Sequence, residues 1–77
     1  NPFNPMERVS VAIPERGLAS VNVFDIRGRE LIVLSNHNYQ PGYYFAKWDA
    51  SAYSSGVYFI SLKANGTTIT QKVLLLK

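Results

Sequence analysis

The chain has 77 residues, a formal charge of +3 and no cysteine, and 47 % of its residues are hydrophobic and 13 % aromatic. That length allows one domain that buries only roughly 60 to 65 % of its unfolded surface, so aromatic side chains, at ~150 to 250 Å² each, must supply much of the core. The eight Lys and Arg stand singly rather than as the basic run that tracks a phosphate backbone, no thiol offers a disulfide or metal site, and no apolar run approaches the ~18 residues of a membrane helix.

Asn1-Pro2-Phe3-Asn4-Pro5 holds the start of the chain extended, because each proline fixes its own φ and restricts the residue before it. Residue 1 is Asn and no basic-then-apolar leader precedes it, so the chain is expected to be a piece of a longer precursor. Arg8 to Ile13 alternates, with Val9, Val11 and Ile13 on one face, until Pro14 ends the strand and Glu15-Arg16-Gly17 turns the chain. Leu18 to Ile26 alternates again, with Val21 and Val23 on one side and Ser20, Asn22 and Phe24 on the other. The connection Asp25-Ile26-Arg27-Gly28-Arg29 places Gly28 where a left-handed conformation is needed. Glu30 to Leu34 is the return strand, and its unbroken apolar run Leu31-Ile32-Val33-Leu34 means either burial on both faces or a bulge.

Ser35 to Gly42 reads as a polar loop closed by Pro41-Gly42, a pair suited to a type II turn. Tyr43 to Trp48 is the fourth strand, with Tyr44, Ala46 and Trp48 on one face and Trp48 expected at the centre of the core. A loop of small residues from Asp49 to Ser55 leads to Gly56 and a fifth strand, in which Tyr58, Ile60 and Leu62 face one way and Val57 and Phe59 the other. Asn65-Gly66 then joins it to a last strand ending at Lys77, and this pair most readily takes positive φ at both central positions of a tight hairpin. Six strands at regular spacing and no helical period predict an all-β antiparallel sandwich, with a small barrel as the alternative and the last hairpin as the scaffold on which the rest packs.

No active site can be assembled from these residues. His37 stands in the polar stretch without an acidic or cysteine neighbour at ligand spacing and reads as a solvated residue. Asp25 and Asp49 end strands and enter turns, where a carboxylate bonds to backbone amides, and this reading outweighs calcium binding or acid/base work. Asn65-Gly66-Thr67 matches a glycosylation acceptor, but the hairpin turn explains it. Tyr43 and Phe45 are expected as core or edge packing, the alternative being an exposed platform for a sugar or a protein.

The segments Asn1-Pro2-Phe3-Asn4-Pro5, Val21-Asn22-Val23-Phe24-Asp25-Ile26-Arg27-Gly28-Arg29-Glu30-Leu31, Pro41-Gly42 followed by Trp48-Asp49, and Ser55-Gly56-Val57-Tyr58-Phe59 with Lys72 and Lys77 occur in an order that resembles the type A C-terminal sorting domains of the type IX secretion system. The pattern is also similar to immunoglobulin-like modules such as that of the flagellar hook-capping protein. The resemblance implies a small immunoglobulin-like β-sandwich of about six to seven strands spanning 1–77, with 1–6 leading in from an upstream cargo. It implies export of a Bacteroidetes-type precursor through the periplasm and across the outer membrane, to a secreted or cell-surface location, with a translocon, an outer-membrane shuttle protein and a cell-surface sortase as partners. It implies no catalysis, no cofactor, no metal and no nucleic acid, and a monomeric domain.

By the same resemblance, Gly56, Val57, Tyr58, Lys72, Leu75 and Lys77 are the residues expected to be read by the machinery. Asn1, Pro2, Asn4, Pro5, Asp25, Gly28, Gly42, Trp48, Asp49, Asn65 and Gly66 are expected to hold the structure. Physically, a terminal hairpin suits a signal, because a strand at a sheet edge leaves backbone groups for a partner to pair with. The competing reading is a non-catalytic accessory module that spaces or stabilises a neighbouring enzyme, or binds glycan through Tyr43 and Phe45.

Overall fold

A computed structural model describes residues 6–76; the Asn-Pro lead-in with Asn1, Pro2, Asn4 and Pro5, and Lys77 at the other end, lie outside the described residues. Six strands follow in order: β1 (Met6–Ile13), β2 (Gly17–Phe24), β3 (Glu30–Tyr39), β4 (Gly42–Asp49), β5 (Gly56–Ala64) and β6 (Thr67–Leu75). β1 and β4 form a two-stranded sheet, and β3-β2-β5-β6 form a four-stranded one. All pairings are antiparallel. The fold is therefore an all-β sandwich, and the chain crosses between its layers at the three connections that leave β1, β3 and β4.

Alternation decides which faces meet. Val9, Val11 and Ile13 of β1 and Ala46 and Trp48 of β4 are buried, and they face Ala19, Val21 and Val23 of β2 and Tyr58 and Ile60 of β5. Trp48 is fully buried at the middle of this core. Its ring meets Tyr58 edge-on at 5.2 Å and Tyr53 at 5.6 Å, contacts that add about 0.5 to 1.5 kcal/mol each beyond their buried area.

The apolar run in β3 is bulged. Val21 pairs with Ser35 but Asn22 pairs with Val33, so Leu34 is an extra residue in the ladder; Val23 pairs with Ile32 but Phe24 pairs with Glu30, so Leu31 is a second. Residues three apart in a regular strand point to opposite faces. The two bulges instead let both Leu31 and Leu34 pack on the core, while Ile32 and Val33 stay exposed.

Three expectations need correction. Ser35 to Tyr39 is not loop but the second half of β3, paired with Val21 to Gly17 of β2. Its polar composition reflects an edge strand whose outer side meets solvent, while Tyr39 turns inward and donates from its hydroxyl to Ser35 Oγ at 2.9 Å. Pro41-Gly42 does not make a type II turn either: Gly42 has φ 152°, far from the roughly +80° such a turn requires, and opens β4 opposite Ile13. Tyr43 and Phe45 are exposed rather than packed, Tyr43 at 91 %, because nothing among the described residues covers the outer face of the two-stranded sheet. The Arg8 guanidinium lies 4.1 Å above the Phe45 ring there.

The last hairpin is also less of a scaffold than its composition suggests. The smaller sheet does not reach over β6, so Thr67 to Lys72 stay exposed on both faces and only Val73 and Leu75 enter the interior.

Candidate functional site

The β5–β6 hairpin owes its register to its turn. Asn65 has φ 52° and Gly66 φ 74°, the doubly left-handed pair of a tight I′ connection. The ladder then runs from Ala64 opposite Thr67 to Gly56 opposite Leu75. Because side chains alternate, the pairs Leu62 with Ile69, Ile60 with Gln71 and Tyr58 with Val73 share the inner face, and Phe59 with Lys72 and Val57 with Leu74 share the outer face.

This alternation separates two roles within one strand. Leu75 is fully buried and Val73 packs on the core, which anchors the end of β6. Lys72 between the inner positions is exposed, Leu74 is 58 % exposed, and Leu76 just past the strand is 70 % exposed. β6 is also the outermost strand of its sheet, so one side of its backbone pairs with no strand among the described residues. The arrangement presents an edge, two exposed leucines and a lysine, held in place by buried neighbours.

The start of β5 is fixed from the other side. Tyr58 is buried, and its hydroxyl donates to the Ser54 carbonyl at 2.6 Å. In the same loop the Tyr53 amide donates to the Ala50 carbonyl at 3.0 Å and the Ser51 amide to Asp49 Oδ1 at 3.1 Å. Asp49 thus shapes the loop that delivers Gly56 to its place opposite Leu75.

Next to this loop an open cleft runs between it and the β2–β3 turn, lined by Asp25, Arg27, Arg29, Tyr53 and Ser55. Asp25 organises that turn. Its Oδ1 accepts from the amides of Arg27 at 2.9 Å and Arg29 at 3.0 Å, and its Oδ2 accepts from Arg29 Nε at 2.9 Å. The Arg29 amide bond, with the Arg29 guanidinium and the Arg27 amide, holds the carboxyl below its usual value of 3.8. Gly28 sits at φ 81° in the middle, a conformation that side chains resist.

The structure therefore brings Gly56, Val57, Tyr58, Lys72 and Leu75 into one ladder. It does not give them one role, since Tyr58 and Leu75 are buried and can act on a folded partner only through the shape they support. Leu74 and Leu76, which the sequence reading did not single out, are the exposed apolar residues at the end of the hairpin. Continuing the inner-face alternation from Tyr58 through its partner Val73 to Leu75 would have found Leu74. Asp25, Gly28, Trp48, Asp49, Asn65 and Gly66 occupy turn or core positions, and Gly42 begins β4.

Among the described residues no group of three or more His, Cys, Asp or Glu side chains could hold a metal ion, and no helix is long and apolar enough to cross a membrane. His37 is exposed on β3, stacked on Tyr39 at 4.1 Å.

No curated protein and no solved structure gives a significant match to the sequence. A family model does: the one described as "Secretion system C-terminal sorting domain" matches residues 1–76, nearly the full 77. The chain belongs to this family of non-catalytic signals, which direct type IX secretion to export the cargo that precedes them across the outer membrane, to the cell surface or beyond.

Proposed function

We propose that the part of this sorting domain read by the secretion machinery is the exposed row Lys72, Leu74 and Leu76 together with the free edge of β6. The observation that carries the proposal is the alternation at the end of the strand: Leu75 is fully buried while Leu74 beside it is 58 % exposed. A strand held this way offers a partner backbone groups for strand pairing, apolar contacts at alternate positions and one cationic anchor. The translocon is the first partner in this reading, followed by an outer-membrane shuttle protein and a surface sortase.

In the same reading the domain is of the type A, immunoglobulin-like class, acts as a monomer, and comprises 1–77 with 1–6 leading in from the cargo. In sequence, Lys77 adds a cation after Leu76. Gly56 and Tyr58 hold the β6 end in register, and half-buried Val57, opposite Leu74 on the outer face, belongs to the surface that is read.

Photo-cross-linking in a host with type IX secretion tests the reading. A photoreactive residue at Leu74 is expected to capture a component of the machinery during export, while one at Ser10 of β1 is not. Equal capture from both positions, or none from Leu74, would overturn it.

A further inference from the structure

The larger sheet overhangs the smaller one. Tyr44 of β4 packs against Tyr39 of β3, ring centroids 4.8 Å apart, which sets the two-stranded sheet over the β3 side of the sandwich. On the opposite side β1 ends the smaller sheet while β6 continues below it. The result is a trough with the consecutive residues Val9 to Ala12 of β1 as its wall and Leu62, Ile69 and Gln71 as its floor. Ile69 lies on the same face as the buried Ile60, yet it is 61 % exposed because no strand lies above it among the described residues. Toward Pro14 and Glu15 the trough continues past Ala64 and Thr67.

We propose that an extended segment of the polypeptide immediately upstream of Asn1 occupies this trough as a third strand of the smaller sheet, antiparallel to β1, with alternate side chains covering Ile69 and Gln71. The proposal rests on the chain following a cargo, as its family does.

Three features favour this occupant. The first is chain direction: β1 begins at Met6, so the polypeptide upstream of Asn1 is joined to one end of the unpaired edge by only the five residues 1–5. Closing so short a connection costs little, whereas a strand supplied by another molecule must offset about 4 to 15 kcal/mol of lost translational and rotational freedom. The second is shape. Two copies pairing β1 edge to β1 edge about a two-fold would drive the second copy's larger sheet into the overhanging β6, while a lone strand meets no such obstacle. The third is chemistry: Leu62 and Ile69 make the floor apolar, and Glu15 is the one charged residue along the trough, at its far end, so it suits a strand of alternating apolar residues rather than a charged ligand.

Hydrogen exchange on two purified precursors tests the inference. One keeps its natural eight residues before Asn1, matching the eight of β1, and the other carries a Gly/Ser repeat of equal length there. With the natural segment, the alternate amides within Val9 to Ala12 that point away from β4 are expected to exchange about ten-fold or more slowly relative to the Gly/Ser precursor, while those bonded to β4, and Val21 and Ile60, stay equally protected in both and report an intact fold. A single proline in the middle of the natural segment is the milder variant and is expected to weaken the protection in the same direction. Equal exchange in all precursors overturns the proposal. So does protection that is lost on dilution, which would mark a second copy, or protection that arises only when secretion machinery is added. Export is not part of the readout, so failure here leaves the sorting function untouched.

Discussion

Leu74 and Leu75 are neighbours in β6 that face opposite sides of the sheet: Leu75 is fully buried opposite Gly56, and Leu74 stands outward opposite Val57. Two identical side chains thus serve stability and presentation separately. Leu75→Ala is expected to destabilise the domain by about 2 to 5 kcal/mol, the usual cost of emptying a buried leucine site. Leu74→Ala is expected to stay within about 0.5 kcal/mol of the parent, as exposed substitutions do. Urea unfolding of the two variants measures both, and similar losses would contradict the assignment of faces.

The bulges of β3 make a second contrast. Leu34 packs on the core although Val33 next to it is exposed. Leu34→Asp would place a carboxylate against apolar neighbours and is expected to cost about 3 kcal/mol, a large share of the stability of a domain this small. Val33→Asp is expected to change the thermal midpoint little. Circular dichroism melts of the two variants check this, and an equal effect would mean a ladder without bulges.

At the hairpin turn, Gly66 holds φ 74° and Asn65 holds φ 52°. Gly66→Ala is expected to cost about 1 to 2 kcal/mol, the penalty of a left-handed residue bearing a Cβ. Asn65→Gly is expected to be tolerated. Because Asn65 and Gly66 set the register, a slipped ladder in the Gly66 variant would exchange the inner and outer rows of β6, which NMR contacts between β5 and β6 would detect.

Asp25 gives the fold a pH dependence of known sign. Its carboxyl is held below the ordinary 3.8 in the folded state by the amide of Arg29 first, and then by the Arg29 guanidinium and the Arg27 amide. A group depressed on folding contributes stability that is present above its unfolded value and is lost as pH falls through the folded one. The difference in thermal midpoint between the parent and Asp25→Asn is therefore expected to be full near neutral pH and to shrink as pH drops below about 4. A difference that grows on acidification would contradict the turn geometry.

The legible parts of this sequence are those where one local rule acts alone. Val9, Val11 and Ile13 alternate because β1 has one covered face, and Asn65-Gly66 marks its turn because few other pairs tolerate two positive φ values. β3 resists the same reading for two reasons. Leu31 to Leu34 breaks the period through bulges, and Ser35 to Tyr39 is polar because an edge strand needs little burial; its pairing is fixed by β2 and not by its own composition. The exposure of Tyr43, Phe45 and Ile69 depends on how many strands each sheet has. No window around those residues carries that information, since it is a property of the whole topology. For the candidate site, the β5–β6 hairpin is legible from Asn65-Gly66, but the division of β6 into buried and presented residues needs the register of the ladder.

In the proposed reading, the outward row of β6 carries the signal independently of stability. The most direct test is a pulse-chase of a cargo fused to this domain in a host with type IX secretion, comparing the parent with the double variant Lys72→Glu and Leu74→Asp after urea unfolding has shown the two to be equally stable. The variant precursor is expected to accumulate in the periplasm while the parent reaches the medium or the cell surface. Export of the variant at the parental rate would contradict that reading.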